Sequence, residues 1–138
     1  MDELTRLLVD VRKGDREAAW KIGDLYREAT HGIKYSPKQA YRWYAESALN
    51  GSATGQNNVG AAFENGVGCA QSYAKAAKWY RLAASQGSGV AMANLAFLYL
   101  NGFGMKADRR EALRWFKRGA AAGCPRSKRM VKTVFADE

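Results

Sequence analysis

One pattern of small and aromatic residues recurs along this chain at a spacing of 36 residues. Gly51, Gly87 and Gly123 stand in register. The same spacing relates three alanines, three tryptophans and three tyrosine or phenylalanine residues: Ala40, Ala76 and Ala112; Trp43, Trp79 and Trp115; Tyr44, Tyr80 and Phe116. A period of this length indicates supersecondary units that bury their apolar faces only by stacking on copies of themselves. The chain is therefore predicted to be a helical solenoid.

Each repeat reads as two helices joined by a turn. In repeat two, the pattern predicts a first helix from about Ala53 to Asn65, then a Gly-x-Gly loop, then a second helix that opens at Ser72. Ser36 and Asp108 lie 36 residues to either side of Ser72, and all three are good N-cap residues. The corresponding loop of repeat one, residues 29–35, is one residue longer and lacks Gly-x-Gly, so we expect a different shape there.

Both ends of the chain read as half-repeats. Leu4, Leu7, Leu8 and Val11 have helical spacing and predict a helix that covers repeat one, and residues 126–136 predict a closing helix. The predicted fold class is all-α, a right-handed α/α superhelical solenoid of three helix-turn-helix repeats flanked by half-repeat capping helices. We expect a single domain over residues 1–138. Its parts are an N-terminal cap (1–13), repeat one (14–50), repeat two (51–86), repeat three (87–122) and a C-terminal cap (123–138).

Two segments carry a specific family resemblance. Residues 91–99 with Gly102 and Gly104, and residues 72–84, resemble the two halves of the Sel-1-like repeat, a relative of the tetratricopeptide arrays. The resemblance covers roughly residues 14–123, with Ala96 in place of a preferred glycine. It implies an α/α superhelix with an adaptor, scaffold or regulatory binding role, often in bacteria, where some members are immunity or virulence-associated proteins. It implies no cofactor.

The net charge of +9 is confined to one half of the chain. Residues 1–69 hold nine Lys or Arg and nine Asp or Glu, whereas residues 70–138 hold thirteen and four. This asymmetry favours a protein or peptide partner with an acidic surface. No apolar stretch is long enough to span a membrane, and the first residues do not resemble a signal peptide. Cys69 and Cys124 are predicted to lie at opposite ends of the helical layers as free thiols, so we expect a cytoplasmic protein.

The sequence gives little reason to expect catalysis. Ser72 and Lys75 form an S-x-x-K motif, but Ser72 is better explained as a helix cap, and the companion motifs of penicillin-recognising enzymes are missing. His31 is the only histidine, so no metal site is expected. We interpret the pairs Asp24 with Glu28 and Glu17 with Lys21 as a solvated helix face with weak ion pairs.

The resemblance implies that the first helix of each repeat lines the concave side of the superhelix. Helical phasing then predicts the partner-binding residues: Trp20, Lys21, Asp24, Arg27, Asn57, Asn58, Glu64, Asn94, Phe97, Asn101, Arg126 and Arg129. Asn58 and Asn94 share one repeat position and could either hold a peptide backbone or bond a neighbouring helix. Phe97 and Trp20 are candidate aromatic anchors, but either could instead be half-buried packing, an alternative that is stronger for Trp20 near the N-terminal cap.

The leading interpretation is a non-enzymatic protein-interaction module that uses its concave groove and basic C-terminal end, with a bacterial regulatory or immunity role. The alternatives are a basic protein associated with nucleic acid, suggested by the isoelectric point near 9.8, and less favoured, a Ser-x-x-Lys hydrolase. The sequence leaves the oligomeric state open.

Overall fold

A computed structural model describes all residues, 1–138, as eight α-helices with no β-strand. The helices are α1 Glu3–Arg12, α2 Arg16–Glu28, α3 Pro37–Leu49, α4 Ala53–Asn65, α5 Tyr73–Ser85, α6 Gly89–Asn101, α7 Arg109–Ala121 and α8 Pro125–Thr133. The all-α class and the eight helices predicted from the sequence are confirmed. We call α2, α4, α6 and α8 first-type helices, and α3, α5 and α7 second-type helices.

The helices form two compact units, Met1–Ser72 and Tyr73–Glu138. The first unit holds α1 to α4, and the second holds α5 to α8. All of the excess positive charge therefore belongs to the second unit, since residues 70–72 carry no charge. The prediction of a single domain stays a prediction.

Side-chain caps fix where the helices begin. Ser36 accepts a hydrogen bond from the backbone N–H of Gln39 at 3.2 Å, and Asp108 caps α7 through Glu111 at 3.0 Å. A second series, which the sequence analysis did not name, caps the first-type helices. Ser52 accepts from the N–H of Gly55 at 3.0 Å, and Ser88, 36 residues later, caps α6 in the same way.

The repeated small and aromatic positions form the cores of both units. The three alanines are almost fully buried, and Tyr44, Tyr80 and Phe116 are 4%, 1% and 0% exposed. The preceding tryptophans are only partly buried. Trp43 packs against the cluster around Ile22 in the first unit, and Trp115 against the cluster around Phe116 in the second. In each aromatic pair, the second residue is therefore the more deeply buried of the two.

The two end helices cover apolar faces as expected. Leu7 of α1 is buried against Ile22 and Leu25. At the other end, α8 stops at Thr133 rather than near Ala136, so the predicted length was wrong. A turn follows in which the N–H of Phe135 donates to the carbonyl of Met130 at 3.2 Å, and this turn buries the Phe135 ring against Phe116.

The two Gly-x-Gly loops press their backbone directly onto a second-type helix. A Cβ atom at Gly68 would lie 2.2 Å from the carbonyl oxygen of Pro37, at the start of α3. A Cβ atom at Gly104 would lie 2.7 Å from Cβ of Tyr73, at the start of α5. Both glycines also have positive φ angles, of 77° and 81° respectively, which suit glycine and strain other residues.

The loop of repeat one follows the same path at first and then departs from it. Ala29 and His31 adopt φ angles of 55° and 56°, the left-handed region that Gly102 and Gly104 occupy in repeat three. The difference expected from the sequence begins at Gly32, which adds a third positive φ and has no neighbour within 4 Å of a Cβ position. Ile33 then packs against the N-terminal core cluster.

Candidate partner-binding surfaces

The second unit brings three of the predicted binding residues into one cluster. Asn94 and Phe97 lie one turn apart on α6, and Arg126 reaches them from α8. Its guanidinium group donates a hydrogen bond to Oδ1 of Asn94 and lies 5.0 Å from the centre of the Phe97 ring. The edge-to-face contact of Phe97 with the buried Phe116, at 4.9 Å, holds the aromatic ring in place. We call Asn94, Phe97 and Arg126 the α6–α8 cluster.

The other two predicted residues of this unit lie on the same helices. Asn101, one turn beyond Phe97, donates to the carbonyl of Phe97 at 3.0 Å and is exposed. Arg129 follows Arg126 by three residues on α8, is exposed, and forms no ion pair. These positions place a carboxamide and a second guanidinium beside the cluster.

Most cations of α7 and α8 remain without a carboxylate. Arg114 pairs with Glu111 at 3.2 Å, and Arg118 lies 4.2 Å from the Trp115 ring. The exposed cations without an ion pair on these two helices are Arg110, Lys117, Arg118, Arg126, Lys128, Arg129 and Lys132. Such a density of uncompensated charge attracts anionic surfaces and raises their association rate.

Arg109 is a contact that the sequence reasoning missed. It pairs with Glu138 at 2.9 Å, donates to the carbonyl of Val134 at 3.1 Å, and lies 4.5 Å from the Phe135 ring. No periodic pattern could have indicated it, because Glu138 lies beyond the last repeat.

In the first unit, the Asp24 carboxylate binds a side chain of the neighbouring helix. The Tyr44 hydroxyl donates to it at 2.5 Å, and Arg27 pairs with it at 3.5 Å. Burial, and then the bond to Asp24, raise the pKa of Tyr44 well above its ordinary value, so this hydroxyl remains a donor at neutral pH. The interpretation of Asp24 and Glu28 as a solvated ion-pair face was therefore wrong for Asp24.

Trp20 interacts with its own helix, and its role as an anchor stays a prediction. It is partly buried, and its Nε1 donates to Glu17 at 2.7 Å. Glu17 also accepts from the Ser52 hydroxyl at 3.1 Å, so the predicted pairing of Glu17 with Lys21 was wrong. The Lys21 ammonium lies 5.7 Å from the Trp20 ring, which leaves Lys21 as the exposed member of this group.

A pocket of about 100 Å³ opens among α2, α3 and α4 of the first unit. Its wall is formed mainly by Arg27, Tyr41, Tyr44, Asn58, Ala61 and Asn65. Two predicted residues, Arg27 and Asn58, thus line one cavity, while Asn57 and Glu64 lie partly buried elsewhere on α4. The helical phasing placed Asn58 and Ala61 on an accessible face but could not show that a cavity separates them from α3.

The remaining candidate chemistry is sparse. Ser72 lies directly before α5, and its N–H donates to the carbonyl of Phe63 at 2.8 Å. No group of three or more His, Cys, Asp or Glu residues is placed to hold a metal ion. Cys69 and Cys124 are free thiols, as predicted. None of the eight helices has both the length and the apolar character needed to cross a bilayer.

Comparison with known proteins gives a consistent result. The family profile described as "Sel1 repeat" matches residues 16–52, 53–88 and 89–124, so its units start two residues later than our repeats. No curated protein sequence matches the chain significantly.

Solved structures show the same fold. A Sel1 repeat protein from Oxalobacter formigenes has a TM-score of 0.82 and 32% sequence identity over 90% of this chain and 51% of its own length. A protective antigen present in uropathogenic Escherichia coli strains, displaying an SLR fold, has a TM-score of 0.82 and 31% identity over 87% of this chain and 26% of its own. Helicobacter pylori cysteine rich protein B has a TM-score of 0.70 and 15% sequence identity over 91% of this chain and 94% of its own length. The chain thus spans about half of the length of the first structure and about a quarter of the second.

Proposed function

Because this chain belongs to the Sel1 repeat family, whose members are generally protein-interaction modules, we propose that it is a non-enzymatic module that binds a protein or peptide partner. The binding residues are the accessible side chains of the first-type helices, in each unit by itself. The observation that carries the proposal is the α6–α8 cluster, in which Arg126 contacts both Asn94 and Phe97.

The composition of this cluster is typical of an interface centre. Aromatic and arginine side chains dominate binding energy in protein interfaces, and truncation of one such residue costs about 2 kcal/mol or more. Phe97 is held by its contact with Phe116, so it loses little conformational freedom when a partner binds.

An acidic surface is the partner chemistry that the second unit supports best. The unpaired cations of α7 and α8 lie in the same unit as the α6–α8 cluster. Solvated surface charges of this kind contribute mainly to the association rate and to the choice of partner, and less to final affinity.

The cellular role is proposed on the resemblance and on the cysteines. The family resemblance supports a bacterial regulatory or immunity role, in which the chain binds and blocks one target. The free thiols of Cys69 and Cys124 are compatible with a reducing compartment, which supports a cytoplasmic location.

A comparative capture experiment tests the proposal. Wild-type chain, Phe97→Ala, Arg129→Glu and the control Arg42→Glu are each used to capture proteins from the native host, and bound proteins are quantified by mass spectrometry. Arg42 is exposed on α3 of the first unit, so this control makes the same charge change away from the cluster. We expect one set of proteins retained by wild type and Arg42→Glu, and reduced at least about tenfold by the other two variants. Equal retention by all four variants would remove the α6–α8 cluster as the binding surface.

Nucleic-acid binding is the second candidate, because thirteen Lys and Arg residues against four acidic ones lie in residues 70–138. Phosphate-driven binding weakens steeply as salt rises, and it would depend on the number of cations rather than on Phe97. A gel-shift assay with duplex DNA and single-stranded RNA at about 150 mM salt separates the two candidates. A complex at that salt which Phe97→Ala leaves intact would favour nucleic acid.

A further inference from the structure

The pocket of the first unit has a small side chain where a later repeat has an aromatic one. Ala61 of α4 lines the pocket, and the residue 36 positions later, in α6, is Phe97. The alanine faces Tyr41 and Tyr44 of α3 across the pocket and remains partly accessible.

The size of the pocket suits one aliphatic side chain. A cavity of about 150 Å³ accepts a benzene molecule, so a pocket of about 100 Å³ accepts a smaller apolar group. Its wall combines alanines with the rings of Tyr41 and Tyr44, and the Tyr44 hydroxyl is already engaged by Asp24. The apolar part of the wall is therefore better suited to a leucine, isoleucine or methionine side chain than to a polar one.

Two carboxamides at the pocket can bind a peptide main chain. Asn58 is partly buried and lines the pocket. Asn65 donates to the carbonyl of Ala61 at 3.1 Å, which leaves its own side-chain oxygen as an acceptor. A carboxamide both donates and accepts, so these groups match the N–H and C=O of an extended segment.

The charged groups near the pocket are mainly acidic. Arg27 is the cation in its wall, and it is already paired with Glu28 at 3.0 Å and with Asp24 at 3.5 Å. Because exposed charges are screened beyond roughly 8 Å at physiological salt, this local balance matters more to a bound segment than the overall charge.

We propose that the pocket binds one aliphatic side chain of an extended peptide segment in which a lysine or arginine stands next to that residue. The aliphatic group enters beside Ala61, Asn58 binds the main chain, and the cation faces Asp24 and Glu28. This inference deepens the proposed protein-binding function and rests on it, but it concerns a site in the first unit and a different partner chemistry.

The first test is an NMR titration of the full chain with three blocked tetrapeptides. The probe is acetyl-Gly-Leu-Lys-Gly-amide, and its matched controls replace Leu by Ala or Lys by Glu. We expect saturable shifts of the Asn58 side-chain amide with the Leu-Lys peptide. Binding should be at least about tenfold weaker with the Ala peptide, since the buried aliphatic group is lost. The Glu peptide should be weaker by about fivefold. Equal affinities for the Leu and Ala peptides, or no saturable shift, would overturn the proposal.

The matched variants are Ala61→Phe and Phe97→Ala. Phenylalanine is the native residue at this position of repeat three, so Ala61→Phe is expected to fold, and its larger side chain at the pocket wall is expected to reduce the space there. It should abolish the shifts, whereas Phe97→Ala should leave them unchanged. Should Ala61→Phe fail to fold, Glu28→Lys serves instead, because it should reverse the preference between the Lys and Glu peptides. An unchanged preference would contradict the proposed orientation.

The two proposals fail in different ways. If the α6–α8 cluster is not an interface, Phe97→Ala captures the same proteins as wild type, while the Leu-Lys peptide still binds. If the pocket is not a site, the Leu-Lys peptide gives no saturable shift, while Phe97→Ala still reduces capture.

Discussion

Repeat one and repeat three place different chemistry at the same pair of positions. In repeat one, Asp24 of α2 accepts a hydrogen bond from Tyr44 of α3 at 2.5 Å. In repeat three, the corresponding residues are Phe97 of α6 and Phe116 of α7, whose rings meet edge to face at 4.9 Å. Asp24, Ala61 and Phe97 occupy the same position in successive repeats. Asp24 and Ala61 are 37 residues apart because the first loop is longer, and Ala61 and Phe97 are 36 apart.

This difference shows that the repeat specifies a contact rather than a residue type. A charged, hydrogen-bonded pair and an aromatic pair both join a first-type helix to its second-type partner. The accessible side of each pair then differs: repeat one presents carboxylates with Arg27, and repeat three presents an aromatic ring with Arg126. The two units therefore present different surface chemistry on similar helix pairs.

The loops give the largest expected effect. Repeat three needs glycine at residue 104, because a Cβ there would overlap Tyr73 and the φ angle is 81°. We expect Gly104→Ala to lower the free energy of unfolding by about 3 kcal/mol or more. In the loop of repeat one, Gly32→Ala meets open space and should cost only about 1 kcal/mol, from its positive φ. Urea denaturation measures both, and equal losses would show that the contact with Tyr73 contributes nothing.

A double-mutant cycle tests whether the pair is interchangeable. Asp24→Phe should cost about 2 kcal/mol, because it leaves the buried Tyr44 hydroxyl without its acceptor. Adding Tyr44→Phe recreates the aromatic pair of repeat three and should restore most of that loss. The coupling energy comes from urea denaturation of the four proteins. Additive losses in the double variant would show that the two pairs are not equivalent.

Alkaline pH should distinguish the repeats through Tyr44. Its pKa is raised in the folded state, mainly by burial, so the unfolded state loses the phenolic proton first as pH rises. The contribution of Tyr44 to the free energy of unfolding is complete below about pH 10. Above that pH the free energy of unfolding falls by up to about 1.4 kcal/mol per pH unit. Tyr44→Phe should flatten this part of the stability profile, since phenylalanine, the residue of repeat three, does not titrate. An identical profile for both proteins would contradict the assignment.

The smallest effect is a gain in stability. Ala29 holds a left-handed conformation that Gly102 occupies in repeat three, so Ala29→Gly should raise the free energy of unfolding by about 1 kcal/mol. The reverse change, Gly102→Ala, should lower it by at least as much, since its Cβ would lie 3.0 Å from that of Ala107. Thermal unfolding of both variants and of wild type measures the two changes in stability. A loss of stability in Ala29→Gly would mean that the φ angle at this position carries no strain.

The fold could be predicted from the sequence because its main determinants are periodic. Positions such as Tyr80 and Phe116 recur with the repeat and are buried for the same reason in each copy. The start of α4 at Ala53 was also predictable, because Gly51 and the following serine mark a helix boundary. The end of α8 at Thr133 was not predictable, because this sequence has no later repeat with which the position of that end could be compared.

The candidate site was less predictable because its contacts depend on side-chain reach. Periodicity put Asn94, Phe97 and Arg126 on accessible faces, but the convergence of Arg126 on both others depends on how the α8 side chain extends. The pocket beside Ala61 depends on an absent side chain, which a pattern of conserved spacing does not reveal. The bond between Asp24 and Tyr44 joins residues 20 positions apart, a separation that no helical periodicity indicates.

The backbone contacts of Gly68 and Gly104 have a consequence for engineering. Each loop is held at a fixed distance from its neighbouring helix by main-chain atoms, so the pitch within a unit is insensitive to the side chains displayed on its outer surface. A duplicated 36-residue segment would bring this spacer with it. Longer arrays could thus be assembled by copying one segment, with residues such as the one at position 61 varied afterwards to diversify the ligands.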